Sequence, residues 1–531
     1  MVKLSVGDHM PVNTWFLLRV FLVVGLLSLF LLLELLVERS DFDLLVPHSQ
    51  TEHVDVSTSP PTGFLVDTKG CRIPDLDPMD ESIRRFIHEE PRLNCEQHYG
   101  PALVDSDLTS LRVNPVALAH YNVSDPSLLH CCFLPFWRVE VAESATGEYP
   151  TDVDTRVKYA RECIEFNETV IVKDEFVKVV CLFNNESIYL DYHAFTPAKR
   201  TVKELPTLGE EDAVSVLMLG IDAVSRLNFH RQMPLTVKFL KTNLSAVEML
   251  GYNKVEDNTF PNLVPVLTGL SVDELKRSCW TNAKSVFDGC HFVWDDFSAA
   301  GYETAFGEDA SWMGIFNYLK SGFRKQPTDY YMNVFNKVSE DKIGFEKRLN
   351  AKLCTGPRKT IQALLNYIYK FANTMKDSLS FGFFWGASLT HDYLNLPKNG
   401  DEDHRHLLES LYNEGLLNRT VLIVMSDHGI RWGEIRSTYQ GYLEERLPFL
   451  YVSYPDWFKV KYTTAVANLK KNARRLTTPY DLHKILLDLT NLTRLDKEVL
   501  KERTEELHKS GSTPRGISLF LPIPEDRTCP G

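Results

Sequence analysis

The spacing of hydrophobic positions changes twice along this chain. From Trp15 to Val37 they form a near-continuous run, WFLLRVFLVVGLLSLFLLLELLV. Its charge-free centre, Val20 to Leu33, makes about 21 Å of helix. With Arg19 and Glu34 near its ends the run is long enough for a bilayer core of roughly 30 Å. No small-residue cleavage site follows, which favours an uncleaved signal-anchor over a signal peptide. Residues 1–14 then form a tail, 15–37 the transmembrane segment, and 38–62, polar and carrying SPPTG, a stem. From 63 to 205 the rhythm shortens. Runs such as FWRVEVA, ETVIVKD, FVKVVCLF and SIYLDYHAF alternate between turn-like stretches and predict a β-rich, Cys-containing domain.

From 206 to 531 apolar strand runs alternate with helix-spaced stretches, the signature of an α/β domain with a largely parallel sheet. The expected strands are Val214–Ile221, Tyr302–Phe306, Leu379–Trp385, Val421–Met425 and Phe449–Val452. The expected helices include Pro234–Leu240, Lys359–Thr374, Arg405–Glu414 and Thr478–Leu489.

Composition sharpens the setting. A net charge of −13 without any basic stripe argues against nucleic acid as partner. Lys3 and Arg19 precede most of the flanking acids, which places the N-terminus in the cytosol. Six sequons follow the span, at Asn122, Asn167, Asn185, Asn243, Asn418 and Asn491, and all ten cysteines lie beyond it. Both facts point to a single-pass type II protein, glycosylated and disulfide-bonded, with its body lumenal or extracellular. Adjacent Cys131 and Cys132 are expected to bond to different partners. Cys279 and Cys290 are spaced to staple a loop, and Cys354 and Cys529 pair with each other or elsewhere.

The candidate chemistry sits at strand ends. In VEDNTFPNLVPVLTGL, residues 255–270, Pro261 suits a first helical position and Gly269 a helix end, so Thr259 stands just before a helix N-terminus. Such a terminus favours a bound anion. The strand Val214–Ile221 runs into Asp222, Leu379–Trp385 leads to His391 and Asp392, and Val421–Met425 delivers Asp427 and His428. In open α/β sheets the ligand crevice lies at the carboxyl ends of strands, so these side chains can converge. Asp222, Asp427 and His428 make an N/O set suited to a divalent zinc or manganese ion, with Thr259 as a further oxygen ligand. A hydroxyl beside such a cation becomes a usable nucleophile at neutral pH.

These residues resemble the alkaline phosphatase/sulfatase superfamily in their order: strand–Asp222, TFPN with a glycine-ended helix, then SDHG followed by GE. TFPN is similar to the nucleophile segment of nucleotide pyrophosphatase/phosphodiesterases, and SDHGIRWGE to the metal-binding stretch of sulfatases. Over residues 63 to 525, GIDAVSRLNF, WDDFSAAGYETAFGED, THDYLN and SDHGIRWGEIRSTYQGYLEERLPF resemble the DUF229 family. The resemblance implies an alkaline-phosphatase-like α/β/α sandwich with Thr259 as nucleophile, Asn262 contacting the phosphate, and Asp222, Asp427 and His428 on a first metal. Thr259 replaces the modified Cys or Ser of sulfatases, so formylglycine chemistry is not expected. The second-metal pattern of phosphodiesterases is incomplete. A second site for metal or substrate would draw on His391 with Asp392, Asp401 or Asp403. A one-metal arrangement, as in lipoteichoic-acid-synthase-like and phosphoethanolamine-transferase branches, leaves His391 to contact substrate or act as acid.

Weaker candidates have duller expectations. Ser225 is expected to cap a helix, Glu308 and Asp309 to lie in a solvated loop, and His483 to pack in a helix. Arg431 either binds an anion or makes a surface ion pair. The expected activity is metal-dependent cleavage or transfer of phosphate mono- or diesters, including lipid- or glycan-linked ones. A sulfoesterase and a non-catalytic adhesion ectodomain are the alternatives.

Overall fold

A computed structural model of the chain describes residues 63–199, 213–509 and 511–528. The predicted tail, signal-anchor and stem lie outside the described residues. Among the described residues no helix is long and apolar enough to cross a membrane.

The centre of the fold is a seven-stranded sheet. The strand Ser215–Ile221 runs through its middle, parallel to both Ser380–Gly386 and Thr420–Met425. Outward on one side lie Glu303–Glu308 and Tyr330–Tyr331, also parallel. On the other side Leu450–Ser453 runs antiparallel to Thr420–Met425, and Val247–Glu248 antiparallel in turn to Leu450–Ser453, so one reversed strand makes a largely parallel sheet mixed. The five strands expected from the apolar runs all form, with ends shifted by one or two residues. One shift matters: the second runs on to Glu308, beyond the expected Phe306, and carries that carboxyl inside.

Every residue of Ser215–Ile221 is buried, as a strand covered on both faces requires. Val216 and Met218 pack with Leu263, Val266, Leu482 and Ile485 on one face. Leu217, Leu219 and Ile221 pack with Phe229, Leu364 and Leu408 on the other. Alternate side chains of one strand thus feed two helical layers, which makes an α/β/α sandwich.

Residues 129–194 form a five-stranded antiparallel sheet around Leu129–Arg138. Cys131 pairs with Cys181 and Cys132 with Cys163, so the adjacent cysteines do part company. One face of this sheet builds a small core from Phe133, Val177 and Val179. Phe136, Phe176 and Tyr192 instead join the second layer of the sandwich, against Tyr367 and Phe371. Cys354 bonds to Cys95, tying residues 259 positions apart, and Cys279–Cys290 closes a loop of the sandwich. All six sequon asparagines are exposed.

Candidate metal centre and nucleophile

The helix carrying TFPN spans Thr259–Thr268, two residues earlier than Pro261 suggested. Pro261 falls in the first turn instead of opening it, which costs no helix hydrogen bond because the first four N–H groups have no intrahelical partner. Asn258 precedes the helix with φ 68° and ψ 164°, a conformation that side chains other than glycine rarely adopt. No side chain caps this N-terminus and its first turn carries no acid, so it is left open to an anion. Gly269 closes the helix in the left-handed region, where a Cβ would strike the ring of His483 at 2.7 Å. His483 is buried with Nδ1 bonded to the Val266 carbonyl, and so packs the helix as expected.

Thr259 Oγ1 lies 3.3 Å from Asp222 Oδ1 and 3.4 Å from Oδ2. The indole N–H of Trp385 donates to the same carboxylate at 3.4 Å. It reaches there by crossing Gly220, where any Cβ would overlap the ring at 1.8 Å. Just after Asp222 the backbone turns through Ala223 at φ 58°, which brings the Ala223 N–H to Asp427 Oδ1 at 3.0 Å. The next N–H, of Val224, reaches Ser426 Oγ at 3.0 Å. Two strand ends are thereby stitched together, and strain at Ala223 is the local cost.

Asp222, Asp427 and His428, all buried, offer ligand atoms within 4.8 Å of one another. His428 Nδ1 is 2.8 Å from the Gly429 carbonyl, which can only accept. Its Nε2 therefore presents a lone pair, and Asp427 Oδ2 lies 3.2 Å from it. That Asp427 oxygen is buried and has no hydrogen-bond donor. Two facing acceptors in a buried site call for a cation or a proton between them. Burial, then the neighbouring Asp427, push the Asp222 carboxyl up to about 8, while burial lowers the His428 imidazole. The residues fit a divalent cation with mixed N/O ligands.

His391 stands beside this cluster. Burial opposes its charge, but the Asp392 hydrogen bond and the carboxylates of Asp222 and Asp427 lift it to about 9. Asp392 is itself held by Asn350, through the N–H at 3.0 Å and the side-chain amide at 2.8 Å.

Several expected site residues are used otherwise. Asn262 is fully buried and its amide is taken up by its own loop: Oδ1 accepts from Val255 and Glu256, and Nδ2 donates to Glu256 and Asn258 carbonyls. It shapes the loop before Thr259 and has no donor left for a substrate. Asp401 and Asp403 are not brought to the centre. Asp401 accepts from the N–H groups of Leu235 and Thr236 at the start of Pro234–Thr242, and Asp403 pairs with Lys359 and Gln362. Ser225 caps Arg226–Gln232 as expected, through the Asn228 N–H. Among the described residues Arg431 makes no salt bridge, though its charge acts on Asp257. Its Nε is buried without a partner, and its charge acts on His428.

Glu308 and Asp309 are the clearest departure, for both are buried rather than solvated. Asp309 accepts from the N–H groups of Ala387 and Ser388, and so anchors the loop that leads to His391. The acidic pair directly after a strand was visible in GED. Its burial was not, because it depends on the strand extending to Glu308.

A family model described as "Protein of unknown function (DUF229)" matches residues 88–530. The chain belongs to the DUF229 family. Among curated proteins none matches it in sequence. Similar solved structures include the lipoteichoic acid synthase LtaP of Listeria monocytogenes, at 12% identity and TM-score 0.34 over 48% of this chain and 69% of that one. The C-terminal periplasmic domain of phosphoethanolamine transferase EptC from Campylobacter jejuni is also similar, at 12% identity and TM-score 0.32, over 54% and 93% of the two chains. Murine ectonucleotide pyrophosphatase/phosphodiesterase 5, solved with AMP, aligns at 13% identity and TM-score 0.31 over 52% and 95%.

Proposed function

We propose that this DUF229 member is a membrane-anchored, metal-dependent hydrolase or transferase of phosphate mono- or diesters, with an alkaline-phosphatase-like site and Thr259 as nucleophile. The reading rests above all on one observation. The Thr259 hydroxyl lies 3.3 Å from Asp222 at an uncapped helix N-terminus, beside the buried Asp222, Asp427 and His428, whose ligand atoms lie within 4.8 Å of one another. The sequons, the disulfides and the run at 15–37 support a lumenal or extracellular body on a single N-terminal span.

Asp222, Asp427 and His428 would hold the ion. When bound, a zinc or manganese ion supplies Lewis-acid charge that makes a nearby hydroxyl acidic and draws in a substrate oxygen. The chain's own residues do the rest. Thr259 gives its proton to Asp222 as its oxygen bonds to phosphorus, and the ester oxygen departs with the proton held by His391. Asp392 keeps that imidazole oriented and charged. Water, or an acceptor alcohol in a transferase, then returns a proton to His391 and attacks phosphorus. The Thr259–phosphorus bond breaks, and Thr259 takes back the proton from Asp222. The helix N–H groups face the charge that develops on the equatorial oxygens.

The test uses the full chain in detergent with aryl phosphate monoesters, diesters and aryl sulfates. Turnover is expected on a phosphate ester, lost on chelation and restored by zinc or manganese. Turnover that survives Thr259→Ala would refute the nucleophile. Turnover of the sulfate alone would make the protein a sulfoesterase, and no bound metal with no turnover would leave an adhesion ectodomain.

A further inference from the structure

Two arms of side chains lead outward from the metal cluster and meet. On the first, Phe260 follows Thr259, and Lys320 Nζ lies 4.3 Å from the centre of its ring. Lys320 also donates to the Tyr318 carbonyl at 2.9 Å. On the second, His391 bonds to Asp392, Asp392 to Asn350, and the Asn350 carbonyl accepts from the Trp312 indole N–H at 3.0 Å. Trp312 and Tyr318 close the circuit, with ring centres 5.4 Å apart and planes at 65°. Trp312 is 42% exposed and Tyr318 44%. Exposed aromatic surface joined by such a chain of contacts to a polar site, here with the Lys347 ammonium 5.7 Å from the centre of the Trp312 ring, is suited to a ligand contact.

We infer that the Trp312–Tyr318 corner seats the leaving group of the ester, that Lys320 contacts its anionic part, and that the substrate is a phosphate ester of a sugar ring. The inference rests on the reading of Thr259 as nucleophile given above. Lys320 makes no salt bridge among the described residues, although the buried Glu308 carboxylate acts on it, and it sits over the ring next to the nucleophile, where an anion could meet it. Burial lowers its pKa to about 8, which an incoming anion would reverse. The choice of a sugar follows from the angle between the rings. Planes at 65° make a corner, whereas a flat aryl group or base is best gripped between parallel faces. A saturated ring can lay its C–H face on one aromatic plane and its edge on the other. Its hydroxyls then meet Asn350 and the Tyr393 phenol, which is 3.1 Å from the Leu349 N–H.

The test compares methyl, 4-nitrophenyl and glucosyl esters of the same phosphoric acid head group, using the full-length protein. The glucosyl ester should show a KM about tenfold below that of the methyl ester. Trp312→Ala or Tyr318→Ala should collapse that ratio with little change in kcat, while Trp137→Ala, at an exposed indole of the antiparallel sheet, keeps it. Lys320→Met should raise KM for all three esters, and Lys320→Arg should restore it. Equal KM for methyl and glucosyl esters, or a ratio untouched by both ring variants, overturns the inference while Thr259-dependent turnover leaves the broader reading standing. Preference for the nitrophenyl ester beyond its leaving-group reactivity also overturns it, in favour of a planar substrate. No turnover of any ester overturns both.

Discussion

His428 turns one ring nitrogen to the Gly429 carbonyl and so presents the other, as a lone pair, to a carboxylate oxygen of Asp427 3.2 Å away. That pairing is repulsive unless something positive lies near it. The purified protein should therefore carry about one equivalent of a divalent metal by elemental analysis. A ligand at a thousandfold excess over its Kd stabilises by about 4 kcal/mol. Chelation should accordingly lower the urea midpoint clearly, and Asp427→Asn should abolish both the metal content and the effect of chelator.

Thr259→Ala should cut kcat about 10⁴-fold or more, the order seen when a nucleophile is removed. The side chain is only partly buried and caps nothing, so the unfolding free energy from urea titration should move by less than about 0.5 kcal/mol. A loss of activity that merely tracks unfolding would refute the assignment.

Glu248 predicts behaviour in acid. Burial would raise its carboxyl, but hydrogen bonds and charges from His230, Arg226 and Lys241 outweigh that and hold it well below the usual range. A depressed folded pKa contributes stability above the unfolded value of about 4.5 and loses it as pH falls further. Glu248→Gln should be less stable than the parent at pH 7, and the gap should begin to narrow only as pH falls below about 4.5, with much of it still present at pH 3.

Glu308 predicts the opposite slope. Burial, ahead of its other neighbours, pushes this carboxyl up to about 8. A raised carboxyl leaves the fold favoured below the unfolded pKa, and that advantage is lost as pH rises from about 4.5 towards 8. Glu308→Gln keeps an acceptor for the Ile315 N–H, now 2.7 Å from Oε1. Between pH 5 and pH 8 its melting temperature should rise relative to the parent.

Asp401 separates a structural from a metal-binding role. Its two oxygens cap Pro234–Thr242 from a neighbouring helix, so Asp401→Ala should cost about 1–2 kcal/mol. Metal content should be unchanged. A drop in bound metal without a drop in stability would count against that assignment.

What could be read before the structure follows from how local each signal is. Strand runs such as VLMLGI and VLIVM declare themselves because a strand buried on both faces must be apolar throughout. The convergence of Asp222, Asp427 and His428 follows from the carboxyl-end rule and needs no pairing detail. Asn262 misled because its amide is the right chemistry near the right residue, yet its four partners are backbone groups fixed only by the turn through Asn258. Asp401 and Asp403 misled in the same way, since their oxygens answer to Thr236 and Lys359, remote in sequence. The burial of Glu308 and the run of Lys320 over Phe260 are long-range facts, and periodicity does not report them.

The bond between Cys95 and Cys354 imposes an order on biosynthesis. Its two halves are separated by 259 residues, so at ribosomal rates of about 5–20 residues per second the first thiol waits roughly 13–52 s for its mate. Cys131, Cys132, Cys163 and Cys181 all emerge during that interval. A faithful host must keep Cys95 from being captured by these earlier arrivals, which makes a thiol-exchange catalyst, rather than raw oxidising strength, the requirement for recombinant production.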